Sequence, residues 1–291
     1  GGVIRKQMGD VSGEWSDTNG QQNQGISDTM IRYIENYTSK GWDPLAEMYY
    51  DALRYFKGNK GASEAYCDSG NFTSDDGFPV TGCESNKDWG ADPITDWCQK
   101  NNIIIMNDEY PSREHNSIPG SKFNPGYSVT PAFAGADDKP YNIDVAEWTK
   151  IVGDWEKSHN TTSTNWYVGN ILGGLENANC AIPKNVTDLS LAHGICPTEP
   201  GTGTKGTFHL AGLAHHAFTH DIRGESHLPG TQNIRTWTLA YRATSAATYN
   251  PPLPPMNQMW LAAKYGKHIF GRIGMARHKL LGPGAEFNQS A

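Results

Sequence analysis

Apolar positions along the chain recur at helical spacing in several stretches and run together without a break in one. In residues 26–37, Ile26, Met30, Tyr33, Ile34 and Tyr37 fall on one face of a 3.6-residue period, which predicts an amphipathic helix. A second helix is predicted to open at Asp43–Pro44, where Asp suits the N-cap and Pro the first helical position. Its apolar positions Leu45, Met48, Tyr49, Ala52, Leu53 and Phe56 keep helical spacing, and Gly58 stops it. The continuous run Ile103–Ile104–Ile105–Met106, flanked by Asn102 and Asn107, predicts a central parallel strand with both faces covered, ending at Asp108–Glu109.

Further helices are predicted at 144–157 (Val145, Trp148, Ile151, Val152, Trp155), at 208–220 and, after a proline-rich turn, at Gln258–Tyr265. An alternating strand is predicted at Ile234–Tyr241, while 109–140 and most of 158–206 read as loop. Helices separating short buried strands give an α/β class with a mostly parallel sheet and long insertions.

Composition narrows the function. The 291 residues carry a net charge of -7 and no basic patch with interleaved aromatics, which argues against a nucleic-acid partner. An aromatic content of 11% is too high for a disordered tail, and no run approaches the length of a membrane span. Gly1–Gly2–Val3–Ile4–Arg5 is not a signal peptide, so either a mature chain has lost its signal or, the preferred expectation, the chain begins inside a larger protein. Five cysteines, Cys67, Cys83, Cys98, Cys180 and Cys196, form no CxxC pair and fall in or beside polar loops. Disulfides bracing those loops would place the chain in an oxidising compartment, with one cysteine left over.

Two motifs invite an enzymatic reading. His209, His215, His216 and His220 crowd together, and His216 and His220 stand at the i, i+4 spacing of zinc ligands on a helix. A secreted zinc-dependent hydrolase is therefore the alternative function, although no His-Glu-x-x-His occurs and the histidines also read as packed aromatic substitutes. Gly201–Gly206 spells G-x-G-x-x-G but follows Pro-Thr-Glu-Pro instead of a strand, and reads as a flexible loop.

Several segments, in order, resemble the PilY/PilC family of type IV pilus tip-associated biogenesis and adhesion proteins. They are Trp42–Glu47 with Tyr50–Gly58, Asp92–Ile94 with Cys98–Asp108, Cys196–Gly206, Ala211–Ala214 with Thr219–Arg223, Leu228–Asn233 and Leu261–Gly266. The resemblance implies a von Willebrand A-like (Rossmann-like) domain over 1–266, with insertions at about 58–93, 109–140 and 158–206 and helices on both faces of the sheet. Residues 267–291 match nothing in the family and stay unassigned.

It further implies a non-enzymatic module for pilus assembly and adhesion, outside the cell at the pilus tip or on the outer membrane. Pilins or minor pilins and a host or surface receptor would be its partners. Such domains often hold Mg²⁺ or Ca²⁺ at the carboxyl ends of their strands, where hard oxygen ligands leave a position for a partner's carboxylate. Asp43 and Asp108 stand at positions that match part of that pattern. From the residues alone, Asp43 is a helix cap and Asp108 a strand-end turn residue. No Asp-x-Ser-x-Ser follows an apolar strand, Asp10–Val11–Ser12 being a partial match; if the first strand lies upstream of Gly1, the missing ligands lie outside this chain.

Overall fold

In the computed structural model, the residues described are 44–58, 92–107, 118–123, 143–159, 165–168, 170–171, 182–193, 206–223, 228–242, 258–267 and 270–274. The helix expected at 26–37, the cysteines other than Cys98, and both Asp43 and Asp108 lie outside them.

Helix α1 (Leu45–Phe56) begins one residue later than its capping pattern suggests: Pro44 occupies the N-cap, and its carbonyl accepts the first helical bond from the Met48 amide at 2.9 Å. The end is as expected. Gly58 takes a φ of +78°, which an L side chain resists, and its amide donates to the Tyr55 carbonyl. Arg223 then fixes this end, donating from Nε to the Phe56 carbonyl at 2.6 Å and from both terminal nitrogens to the Asp92 carboxylate.

Strand β1 (Asn101–Asn107) pairs in parallel with β6 (Ile234–Arg242), which pairs in parallel with β7 (Phe270–Gly274). The parallel sheet is therefore present, and β7 lies past the last family-like segment. The expectation of a strand covered on both faces fails. Alternate residues of β1 face solvent, Ile104 at 68% and Met106 at 70% exposure, because among the described residues no helix packs over that face of the sheet. Helices cover the opposite face, where Ile103 and Ile105 pack on the core. Tyr49 of α1 shares a buried 2.6 Å hydrogen bond with Thr236 of β6, and Thr238 donates to the Met259 carbonyl at 3.0 Å. Among the described residues, then, helices lie on one face of the sheet and not on both.

Between β1 and β6 run α2 (Val145–His159), the short pairs β2 (Asn165–Val168) with β4 (Ile182–Asn185) and β3 (Asn170–Ile171) with β5 (Ala192–His193), and α3 (His209–Thr219). Helix α4 (Gln258–Tyr265) has the limits its apolar spacing predicts. The antiparallel pairs are short strands within 158–206, which the sequence reads as mostly loop. Strands of two to four residues are too short for an alternating pattern to show.

The core gathers around α3. Leu210, Ala211, Leu213, Ala214 and Ala217 are fully buried, touching one cluster with α1, α4 and the sheet and another with Val152, Trp166, Leu189 and Leu261. Gly212 lets α2 approach closely: a Cβ there would stand 2.6 Å from the amide nitrogen and hydroxyl of Thr149. Gly212→Ala should therefore lower stability by about 1–3 kcal/mol through overpacking, despite the better helix propensity of Ala. Urea unfolding of the two proteins checks this, and an unchanged or higher midpoint would contradict the close packing of α2 on α3.

Candidate functional site

Three places in the fold concentrate chemistry: the carboxyl end of β1, the histidines of α3, and the amino end of the sheet. At the first, β1 ends at Asn107, whose side-chain amide nitrogen is buried without a hydrogen-bond partner. The two carboxylates expected to hold a cation, Asp43 and Asp108, are the neighbours in sequence of the described Pro44 and Asn107 and themselves lie outside the described residues.

The histidines of α3 divide into two environments. His209 is fully buried at the start of the helix, 3.2 Å from the Thr149 hydroxyl through Nδ1 and 3.2 Å from the Ser121 hydroxyl through Nε2. It thus ties α2 and the 118–123 turn to α3. His215, His216 and His220 surround Trp148 of α2, with ring centroids 5.7, 5.1 and 4.6 Å from the indole in edge-on arrangements. The spacing of His216 and His220 does bring them together, but ring on ring, with centroids 4.8 Å apart and planes 16° from parallel.

Among the described residues no group of three or more His, Cys, Asp or Glu side chains is arranged to hold a metal. Among the described residues the rings pack edge-on about Trp148, as aromatic substitutes would, with no third side chain placed to complete a zinc site. Burial is the larger reason that His216 is pushed down to about 3, helped by His220, Lys57 and His215 nearby. Burial also lowers His215.

The amino end of the sheet carries an open cleft of about 270 Å³ that no sequence motif announces. The turn before β1 and the segment before β6 form its walls, bringing Trp97, Lys100 and Asn101 beside Gly230, Asn233 and Arg235. Glutamines hold these walls. Gln99 donates to the Pro93 carbonyl at 2.7 Å and the Asn101 side chain at 3.0 Å, while Gln232 donates to the carbonyls of Pro229 at 3.0 Å and Trp97 at 3.3 Å. Asp221 accepts from the amides of Arg223 and Gln232, fixing the second wall to the end of α3. Cys98 also lines the cleft as an exposed free thiol, 3.3 Å from Asp96, whose hydrogen bond and charge push that thiol up.

Because His216 stays neutral in the fold while an unfolded histidine titrates near its ordinary value, the unfolded chain takes up a proton first as pH falls. Stability should be unaffected by this group above about pH 6.5 and then decline by at most about 1.4 kcal/mol per pH unit towards pH 3. His216→Phe, which keeps the ring against Trp148, should flatten that decline in urea unfolding between pH 7 and pH 4. A variant that loses stability just as steeply would contradict it.

The segments that make α1, β1 and α3 also identify the chain. A family model described as "PilY1 homolog, second domain" matches residues 22–217. A type IV pilus biogenesis factor PilY1 homolog of Xylella fastidiosa (strain Temecula1) is 29% identical over 252 residues, covering 84% of this chain and 17% of that protein. A second PilY1 homolog of the same organism is 29% identical over 210 residues, covering 68% of this chain and 12% of its own length. The chain thus spans less than a fifth of the length of these curated relatives. No solved structure matches significantly. With the family model matching well over half of its residues, the chain belongs to the PilY1 homolog family, in the region described as the second domain.

Proposed function

We propose that this chain is a non-enzymatic, von Willebrand A-like part of an extracellular type IV pilus biogenesis factor, acting in pilus assembly and adhesion at the pilus tip or outer membrane. The match of residues 22–217 to the PilY1 homolog family carries this reading. The parallel sheet with helices packed against it is compatible with that fold, and disulfides in the insertions would suit an oxidising location. Among the described residues no helix is long and apolar enough to cross a membrane. Pilins or minor pilins and a surface receptor are the partners this role calls for.

We further propose that Asp43 and Asp108 contribute to a Mg²⁺ or Ca²⁺ site at the carboxyl end of the sheet. Carboxylate oxygens are the ligands that such hard cations prefer. The unpartnered Asn107 amide at the end of β1 supports a polar site, since a donor there can steady a ligating or incoming carboxylate. Such an ion would supply charge to attract a partner's acidic side chain, while Asp43 and Asp108 orient it.

Two measurements test this. A strain lacking the parent gene should lose surface pili, and reintroduction of a version lacking residues 44–274 should not restore them; full restoration would sink the assembly role. Elemental analysis of the purified parent protein should find near-stoichiometric Mg²⁺ or Ca²⁺ that Asp108→Ala removes. Metal retained by that variant, or none in either protein, would reject the site.

A further inference from the structure

The cleft at the amino end of the sheet lies opposite the end where the family resemblance places a cation, and the pilus role does not account for it. Its charge runs against that of the molecule. The chain is acidic overall, at -7, yet the cleft walls carry Lys100 and Arg235 and no carboxylate side chain. Neither cation has an ion-pair partner among the described residues, whereas Lys122, Lys150, Lys264 and Arg223 each have one. Asp96, an acid in the turn before β1, is occupied by the amide and thiol of Cys98.

Beside the two cations stands Trp97, 61% exposed, a large apolar side chain left in water. The turn that carries it is nevertheless held in place: the Trp97 carbonyl accepts from Gln232, and the Gln99 side chain grips the turn from within. Asn233, half-buried in the second wall, adds a side-chain amide that can donate to a carboxylate or a peptide group. An exposed indole on a fixed backbone beside two unpaired cations is the composition of a recognition surface, where aromatic and Arg side chains carry most of the binding energy. The open shape suits an extended chain laid across it better than an enclosed small molecule.

We propose that this cleft binds an acidic peptide segment of a partner protein. Its carboxylates would sit on Lys100 and Arg235 and its backbone or an apolar side chain against Trp97. Self-repulsion keeps an acidic probe away from the rest of this acidic chain, so binding here is selective by charge as well as by shape. The inference is independent of the pilus role and of the cation site, and holds or fails with a binding measurement on the isolated chain.

The test uses a fluorescein-labelled hexaglutamate peptide and a hexaglutamine control, followed by anisotropy at low salt with the whole chain. Saturable binding of the glutamate peptide alone is expected, weakening at least ~10-fold between 20 mM and 200 mM salt, as screened charge contacts do. The Lys100→Gln/Arg235→Gln double variant should lose at least ~10-fold in affinity and Trp97→Ala at least ~3-fold, within the range of single contacts at small interfaces. Lys150→Gln, on the exposed face of α2, should bind as the parent does. All the altered side chains are exposed, so circular dichroism should show the fold unchanged. The proposal is overturned by an absence of saturation, equal binding of hexaglutamine, unchanged affinity in the double variant, or unchanged affinity in Trp97→Ala, which would reduce the attraction to charge alone.

Discussion

Helix α3 cannot exist on its own. From His209 to Ala217 nearly every side chain is buried, so the helix has no solvent face of any width and must be enclosed by other elements. Helices α1, α2 and α4 and strand β6 supply that enclosure, and each is positioned by its contact with α3. The small residues Ala211, Gly212, Ala214 and Ala217 allow several neighbours to approach at once, and Phe208, Leu210 and Leu213 fill what remains. Two polar groups drawn into this core are satisfied across elements: His209 joins hydroxyls from α2 and the 118–123 turn, and Glu156 of α2 accepts from Lys264 and, at 2.7 Å, from the Tyr265 hydroxyl of α4.

The elements that enclose α3 were legible in the sequence where the signal is local. Helix α4 keeps the limits its spacing predicts, and α1 differs at its start by one residue because Pro44, and not Asp43, is the half-in cap residue. The parallel strand at 101–107 was legible too, but its exposure was not. A continuous apolar run looks the same whether one face of its sheet is covered or both, and only the packing of Ile103 and Ile105 on the core, with Ile104 and Met106 left in solvent, tells them apart. Strands β2 to β5 left no pattern, and Pro183 within β4 argues locally against a strand that its edge position permits.

Sites were less legible than elements. The histidines announced themselves by spacing, and both of their readings were available in advance; the contacts with Trp148, a residue far away in sequence, decide for aromatic packing among the described residues. The amino-end cleft left no trace at all, because Trp97 and Lys100 meet Arg235 only through the parallel register that sets Asn101 beside Ile234. Asp43 and Asp108 entered through family resemblance and not through spacing. A crossover fold has two separate sheet ends, and the two proposed sites fall at opposite ones.

Both ends depend on the same packed helix, and native-state hydrogen exchange reads its enclosure directly. The amides of Leu213, Ala214 and Ala217 should be among the slowest in the chain, exchanging only with global unfolding, while those of β2 to β5 exchange through local opening. Exchange of the α3 amides as fast as those of the short antiparallel pairs would contradict the account, since a helix so apolar cannot open without its neighbours unless they never enclosed it.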